Sequence, residues 1–449
     1  MKIGIEVHVQ LNTESKLFCS CPTSGSDEPN SRTCEICIGM PGSKPVINES
    51  VIKKAIKVGL ALGCKINKKN LFSRKSYFYP DLSKNFQITQ YELPLCGEGE
   101  FENIKLRRIH VEEDPGALVH KENVTLIDYN RSGIPLIELV TDPDFKDAKE
   151  VREFLNKLIT LLEYLEVYTR KEDTTLKADA NISLEGGERV EIKNITGLKE
   201  IEKALNYEAK RQETELAKIQ ETRGWDAEAG KSYLMRKKET ENDYGYIAEP
   251  DLPQLDLSEE YIKEIKIPEL PNQKIEKFIK KSKLKEYDAK VISSNKILAE
   301  MFENISKDID AEMVAKYLMR DLLGQLDYNN KDISEVAIKE KDIVDLLKLF
   351  KDKKINDKIV RDVTIEFVKN GSFDVNKYVE EKGLLMASDS GKLKEWCEEI
   401  IKGNSGVVEE YKNGNENSLN FLMGKVMQKS NRTADPNKTR ELLKKLIGN

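Results

Sequence analysis

The chain has 449 residues, 39% hydrophobic and 34% charged, with a net charge of -6; that length exceeds one small core and predicts two to four domains. The negative balance excludes a uniformly basic surface for nonspecific nucleic-acid binding, yet 73 Lys and Arg residues leave room for a local basic face, above all in the Lys-rich C-terminal third. No apolar run approaches the ~20 residues that span a bilayer, the first residues alternate like a strand rather than a signal peptide, and an odd count of seven cysteines argues against a disulfide framework, so a cytoplasmic protein is expected.

In chain order, residues 1–150 are rich in Gly, Pro and β-formers. Ile3-Gly4-Ile5-Glu6-Val7-His8-Val9 and Arg108-Ile109-His110-Val111-Glu112 alternate with period two and predict strands. Apolar spacing predicts helices near 48–63 and 147–166, the second with Phe154, Leu155, Leu158, Leu161, Leu162 and Leu165 as its stripe. Strands follow around 177–195, then a polar helix near 198–220 and an irregular stretch at 221–256 broken by Pro250 and Pro253. Beyond 257 Gly becomes sparse and helical spacing dominates, giving a helical module at 257–372 and a tail module at 375–449, with a loop interrupted by one short helix around 401–415.

Two features carry chemistry. Cys19-x-Cys21 and Cys34-x-x-Cys37, 12 residues apart, have the spacing of a four-thiolate structural zinc site, in a Gly/Pro-rich loop that gains order from a metal. Four reduced thiols are the alternative; Cys64, Cys96 and Cys397 read as core residues. The second feature is a set of acids and histidines inside apolar strands. Period two puts Glu6 with His8 on one face, and His110, Glu112 and Asp114 on one face, while Glu113 points the other way. Glu138 lies in the apolar run Ile134–Val140, and Asp179 opens a further strand. Acids in such places are costly unless paired or bound to a metal, and several converging suit Mg²⁺. Each alone reads equally well as a solvated face or an ion pair. The block Ser73–Asp81, with Lys75 among Tyr and Arg residues, fits phosphate or nucleic acid as well as a surface loop. No P-loop, dinucleotide fingerprint or catalytic triad order is present.

Together these segments resemble the B-subunit family of glutamyl-/aspartyl-tRNA amidotransferases. The resemblance rests on G-I-E-V-H-V-Q-L at 4–11, the C-x-C and C-x-x-C-x-G-x-P-G elements within 19–42, R-K-S-Y-F-Y-P-D-L at 74–82, Q-I-T-Q-Y at 87–91 and I-H-V-E-E-D-P-G at 109–116. It continues with D-Y-N-R-S-G-I-P-L-I-E at 128–138, D-A-N-I-S at 179–183, E-I-K-N at 191–194, Q-E-T-R-G-W at 220–225, E-P-D-L-P at 249–253 and N-F-L-M-G-K-V-M at 420–427. No room is left after Pro253 for the large insertion of the related E subunits.

The resemblance implies an α+β protein: a glutamine-synthetase-like antiparallel-sheet cradle domain at 1–256, an all-α helical domain at 257–372 and a small α-helical tail domain at 375–449 that binds tRNA. It implies a metal and phosphoryl-transfer site on Glu6, His8, Glu112, Glu113, Glu138 and Asp179, with Lys75 at the nucleotide, and zinc on Cys19, Cys21, Cys34 and Cys37. It further implies ATP, Mg²⁺ and structural Zn²⁺, a heterotrimer with an amidase (glutaminase) A subunit and a small C subunit, and misacylated tRNA rather than DNA or membrane as partner. The expected reaction is phosphorylation of the side-chain carboxylate of Glu-tRNA(Gln) or Asp-tRNA(Asn), then amidation by ammonia. Two other readings stand beside it: a zinc-ordered tRNA-holding subunit without chemistry, and a free-standing ligase acting on a small amino acid.

Overall fold

The computed structural model describes residues 1–169, 176–237, 244–386, 390–430 and 434–448. The chain is α+β and divides into two compact units, Met1–Leu270 and Pro271–Asn449. Among the described residues, no helix is long and apolar enough to cross a membrane.

The first unit is built on an eight-stranded sheet of β1 (Lys2–Gln10), β2 (Gly99–Phe101), β3 (Ile104–Glu113), β4 (Pro135–Thr141), β5 (Lys177–Ser183), β6 (Val190–Thr196), β7 (Glu221–Asp226) and β8 (Lys231–Lys237). Their spatial order is β8-β7-β6-β5-β1-β4-β3-β2. All neighbours are antiparallel except β6 and β7. That parallel pair is separated in sequence by a helix, as a parallel connection requires.

Three helices accompany the sheet: α1 (Glu49–Ala61), α2 (Ala148–Tyr164) and α3 (Leu198–Thr214). Asn48 and Asp147 cap the first two by accepting from Ser50 N and Glu150 N, which fixes where each helix begins. The alternation of β1 puts Ile3, Ile5, Val7 and Val9 on one face, all nearly inaccessible. They join Ile109, Val111, Ile137, Leu139, Ala178 and Ile192 in one core with Phe154, Leu155, Leu158 and Leu162 of α2 and Ile201 and Leu205 of α3. Each such side chain stabilises the fold by roughly 1.5–3 kcal/mol. With helices over one face, the other face of the same strands is left to the polar residues that alternate with these.

The stretch 221–256, expected to be irregular, supplies β7, β8 and a strand at Gly245–Ala248. Trp225 is anchored by donating its indole N–H to Glu200 of α3 at 2.9 Å. The Tyr233 ring of β8 lies over Gly224, 2.4 Å from where a Cβ would sit, so a larger residue there would displace the ring. The compact unit also runs past the expected 256: Tyr261 and Ile262 of the short helix Glu259–Glu264 pack on the first core.

The second unit is helical throughout its described residues, from Pro271–Ser282 to Pro436–Gly448. The helix Val375–Glu381, assigned by sequence to the tail, belongs with the preceding helices. Phe373 lies between Phe367 and Tyr378, its ring tilted to both, with centroids 4.9 and 4.7 Å away. The final helices share a core of Cys397, Leu419, Leu422, Val426, Leu443 and Ile447. The short helix expected within 401–415 is Ser405–Lys412, and the turn residues around it are compressed into tight junctions at Asn404 and Asn413-Gly414-Asn415, with Asn415 capping the next helix and Gly414 at φ 98°.

Candidate active face and thiolate centre

The open face of the sheet gathers the acids and histidines. Glu6 and His8 project from β1; the register pairs Glu6 with Asp179 of β5 and His8 with Glu138 of β4, and places Glu138 also opposite His110 of β3. The residues form two neighbouring sets whose potential ligand atoms lie within 4.8 Å of one another: His8, Glu112 and Glu138, and Glu6, Asp179 and Glu191.

In the first set, His8 Nε2 is 3.4 Å from Glu138 and 3.6 Å from Glu112, while His110 Nε2 is 3.3 Å from Glu138. Thr89 donates to Glu112 at 3.2 Å. Burial alone would lower both imidazoles, but Glu138 and Glu112 outweigh it and lift His8 to about 10 and His110 to about 9. Burial would raise the Glu138 carboxyl; His110 and His8 overcome it and hold it well below the usual range. In the second set, burial and then the charges of Glu138 and Asp179 push Glu6 up to about 7.

A β-bulge organises the second set. The β5–β6 register shifts between Ala178 and Ala180, and Asn194 takes φ 56°, a left-handed conformation Asn tolerates better than most residues. The Asn194 N–H leaves the ladder and donates to Asp179 Oδ1 at 2.7 Å. Lys193 is thereby held 2.7 Å from Glu191 and 3.3 Å from Asp179. Burial opposes its charge, yet Asp179 and Glu191 raise its pKa. Glu191, Lys193 and His110 were missing from the expected site residues. Period two does place Glu191 and Lys193 on one face, but an isolated Glu-x-Lys on a strand is the ordinary signature of a surface pair.

Aromatic rings wall the site. Tyr77 meets Tyr244 edge-on at 5.6 Å, and Tyr246 stacks on Tyr91 at 4.0 Å. Burial, together with Asp81 and Glu112, raises the Tyr77 phenol; burial, with Glu138 and Glu112 behind it, raises Tyr246. Lys75, on the strand Ser73–Ser76, lies in this wall rather than in either carboxylate set: its ammonium is 4.5 Å above the Tyr244 ring and 5.7 Å above Tyr77.

Glu113 stands apart from both sets. Its side chain projects from the strand face opposite Glu112, where Lys84 pairs with one oxygen at 2.5 Å and Ile88 N donates to the other at 2.9 Å. Both side chains are nearly buried, so each carboxylate oxygen is already used by the fold.

The four loop cysteines converge with their sulfurs within 4.8 Å of one another. Gly39, two residues beyond Cys37, adopts φ 72°, and a Cβ there would come within 2.5 Å of Lys84 Cγ, so only glycine closes the Cys34–Cys37 turn against this neighbour. The Cys34 N–H donates to Cys37 Sγ at 3.1 Å. Lys16, fully buried, directs its ammonium to Arg32 O at 2.8 Å and to Cys37 Sγ at 3.7 Å. The hydrogen bond from Cys19 is the largest influence lowering the Cys37 thiol to about 5, with Lys16 adding to it; burial raises Cys21 to about 11. A converging sulfur tetrad with N–H and ammonium donors suits a soft tetrahedral ion such as zinc. Cys64, Cys96 and Cys397 are buried elsewhere.

Residues 1–263 match the family profile described as GatB/GatE catalytic domain, and residues 300–447 match the one described as GatB domain. The chain is 41% identical to the B subunit of the aspartyl/glutamyl-tRNA(Asn/Gln) amidotransferase of Thermodesulfovibrio yellowstonii, over 99% of this chain and 98% of the relative. It is 42% identical to the protein of the same name from Clostridium beijerinckii and 40% identical to that from Thermotoga petrophila, with the same coverage in both cases.

Proposed function

As the chain belongs to the family of aspartyl/glutamyl-tRNA(Asn/Gln) amidotransferase B subunits, we propose that it activates the side-chain carboxylate of a glutamate or aspartate misacylated onto tRNA. ATP is the phosphoryl donor and ammonia, delivered from an amidase A subunit, is the final nucleophile. The A subunit and a small C subunit complete the complex. The cradle reading of residues 1–256 and the tRNA-holding role of the tail belong to the same proposal.

One observation carries the reading: two sets of acids and a histidine converge on the open face of a sheet otherwise packed with aliphatic residues. A carboxylate does not react with ammonia, because oxide is too poor a leaving group. Transfer of the γ-phosphoryl group of ATP gives an acyl phosphate and ADP. Ammonia then attacks the acyl carbon, the C–O bond to phosphate breaks, and the amide and inorganic phosphate remain.

The donor set His8, Glu112 and Glu138 fits Mg²⁺, with two hard carboxylates and one imidazole within reach of a single ion. Magnesium there supplies charge neutralisation for phosphate oxygens. The chain's own residues do the rest. Thr89 and His110 hold Glu112 and Glu138 in place. Tyr77, Tyr244 and Tyr246 exclude water, which would hydrolyse an acyl phosphate. Lys75 places positive charge in the same wall, where a phosphate would gain from it. Glu6, with its carboxyl near neutrality, is suited to accept the proton that attacking ammonia loses. The thiolate centre is structural, since four sulfurs leave no open position.

The test is reconstitution with an amidase subunit and its small companion, supplied with Glu-tRNA(Gln) or Asp-tRNA(Asn), ATP, Mg²⁺ and glutamine. Recovery of Gln or Asn from the tRNA, dependent on ATP and on this chain, is the expected result. Glutamine hydrolysis with neither tRNA converted would overturn the activating role and favour a subunit that only holds tRNA.

A further inference from the structure

The sequence Leu106-Arg107-Arg108-Ile109 breaks the period of two, because two polar residues stand where alternation allows one. Leu106 and Ile109 both face the core, and the β3–β4 register shifts between Leu106 and Arg108 to permit it. This bulge divides the two arginines. Arg107 is exposed and pairs with Asp142, whereas Arg108 falls in step with His110 and Glu112 on the open face. Arg108 stands opposite Val140 of β4, Val140 opposite Glu6 of β1, and Glu6 opposite Asp179 of β5, so these four form one row across the sheet. The next row is His110, Glu138 and His8. Arg108 is half-buried, and its Nε is inaccessible and has no acceptor. Among the described residues no carboxylate pairs with its guanidinium, although Arg74 grips Glu249 and Arg131 lies 3.5 Å from Asp114. The carboxylates beside it are held elsewhere: Val140 separates Arg108 from Glu6, and Glu138 is taken by two imidazoles.

A guanidinium with a buried N–H and no acceptor is costly unless an incoming anion completes it. Its planar fork matches two oxygens of a phosphate. The aromatic wall bounds the same place: burial raises the Tyr246 phenol, the charge of Arg108 opposes that rise, and Tyr91 lies nearly parallel to the Tyr246 ring. Resting on the reading above, we propose that Arg108 is a phosphate-binding residue of the active face and grips the β-phosphate of ATP. As the γ-phosphoryl group passes to the substrate carboxylate, the bond from the γ-phosphorus to the bridging oxygen breaks. Its electron pair stays on the β-phosphate of ADP, where the guanidinium neutralises the growing charge. A phosphodiester of tRNA offers the same oxygens. The nucleotide is favoured because its phosphates have to reach the His8–Glu112–Glu138 set, and Arg108 occupies the adjoining row, about 7 Å along β3 from His110.

The experiment measures equilibrium binding of ADP, AMP and Glu-tRNA(Gln), each in Mg²⁺, to the full-length chain assembled with its partner subunits. Arg108→Gln should weaken ADP on the order of 100-fold, as loss of one preorganised donor does, and AMP and tRNA by less than about threefold. Arg108→Lys should recover part of the loss yet stay about tenfold weaker than wild type, since an ammonium cannot fork. Wild-type affinity for ADP in either variant would overturn the proposal, and Arg108→Lys decides the matter if Arg108→Gln does not fold. Equal losses for AMP and ADP would overturn the assignment to the β-phosphate. Weakened tRNA binding with ADP unchanged would overturn it as well and give the guanidinium to a tRNA phosphodiester. The underlying reading fails separately: a wild-type assembly that binds ADP through Arg108 but amidates neither tRNA upholds the residue and sinks the activating role.

Discussion

His8 on β1 and Glu138 on β4 sit directly opposite each other across the sheet, and their Nε2 and Oε2 atoms are 3.4 Å apart. Because His110 reaches the same carboxylate from the other neighbouring strand, Glu138 is the shared anion on which the first set is centred. Glu138→Gln keeps the shape and removes the charge. tRNA-dependent ATP hydrolysis should fall on the order of 100-fold or more, the cost of losing one essential electrostatic partner in a buried site. A fall of less than threefold, with the fold intact by circular dichroism, would remove Glu138 from the machinery.

Glu113 and Lys84 make the opposite prediction. Their contact is buried and belongs to the fold, so Lys84→Met leaves an unpaired carboxylate in the interior. The expected loss is roughly 3–5 kcal/mol of stability, read by urea unfolding. Mn²⁺ affinity of whatever remains folded should be unchanged within about threefold, smaller than the effect expected even of a residue that only orients a ligand. Wild-type stability in Lys84→Met would refute the structural role given to the pair.

For the thiolate centre, Cys34→Ser combined with Cys37→Ser removes half the sulfurs. Zinc content by mass spectrometry should drop from about one per chain to near zero. Limited proteolysis should then cut first within the loop between Cys19 and Cys37, because that loop buries little apolar surface of its own. Full zinc occupancy in the double variant would mean that the ion is held elsewhere.

The pH dependence of the magnesium-free protein follows from the same face. His8 and His110 are raised from 6.5 to about 10 and about 9. The folded state therefore binds their protons more tightly than the unfolded chain does. Their stabilisation is complete below pH ~6.5 and is lost as pH rises through 9 to 10. Glu6, raised from 4.5 to about 7, acts in the same direction: its contribution is present below 4.5 and gone above about 7. Thermal melts should fall steadily from pH 5 to pH 10 without magnesium and be flatter with it, since the ion replaces the proton on His8. A melting temperature that climbs over that range would contradict the assignment.

How much of this was legible in the sequence depends on range. The alternation Ile3–Val9 reads directly as a strand with Glu6 and His8 on its polar side, because period two is a local property. The cysteine spacing is equally local. The same period separates Glu113 from Glu112, and the strand carries the two side chains to opposite faces, although the resemblance put both in one site. What the sequence hid is non-local. That Glu138 faces two histidines depends on the strand order β1-β4-β3, and that Lys193 meets Asp179 depends on a bulge between strands. The irregular texture of 221–256 concealed two strands because their Gly and Trp serve tertiary contacts with Tyr233 and Glu200.

Asn194 offers the sharpest local test. Its φ of 56° is left-handed, and its N–H supplies the 2.7 Å bond to Asp179. Asn194→Gly should be nearly neutral in stability, since glycine adopts this conformation freely. Asn194→Val should cost about 1–2 kcal/mol, because a β-branched side chain clashes with its own carbonyl in the left-handed region. If the backbone relaxes to relieve that strain, the N–H turns away from Asp179 and Lys193 is no longer held between the two carboxylates. Asn194→Val should then lose ATP turnover more than it loses stability, while Asn194→Gly retains both. Equal behaviour of the two variants, in urea unfolding and in turnover, would show that the left-handed bulge is not what positions Lys193.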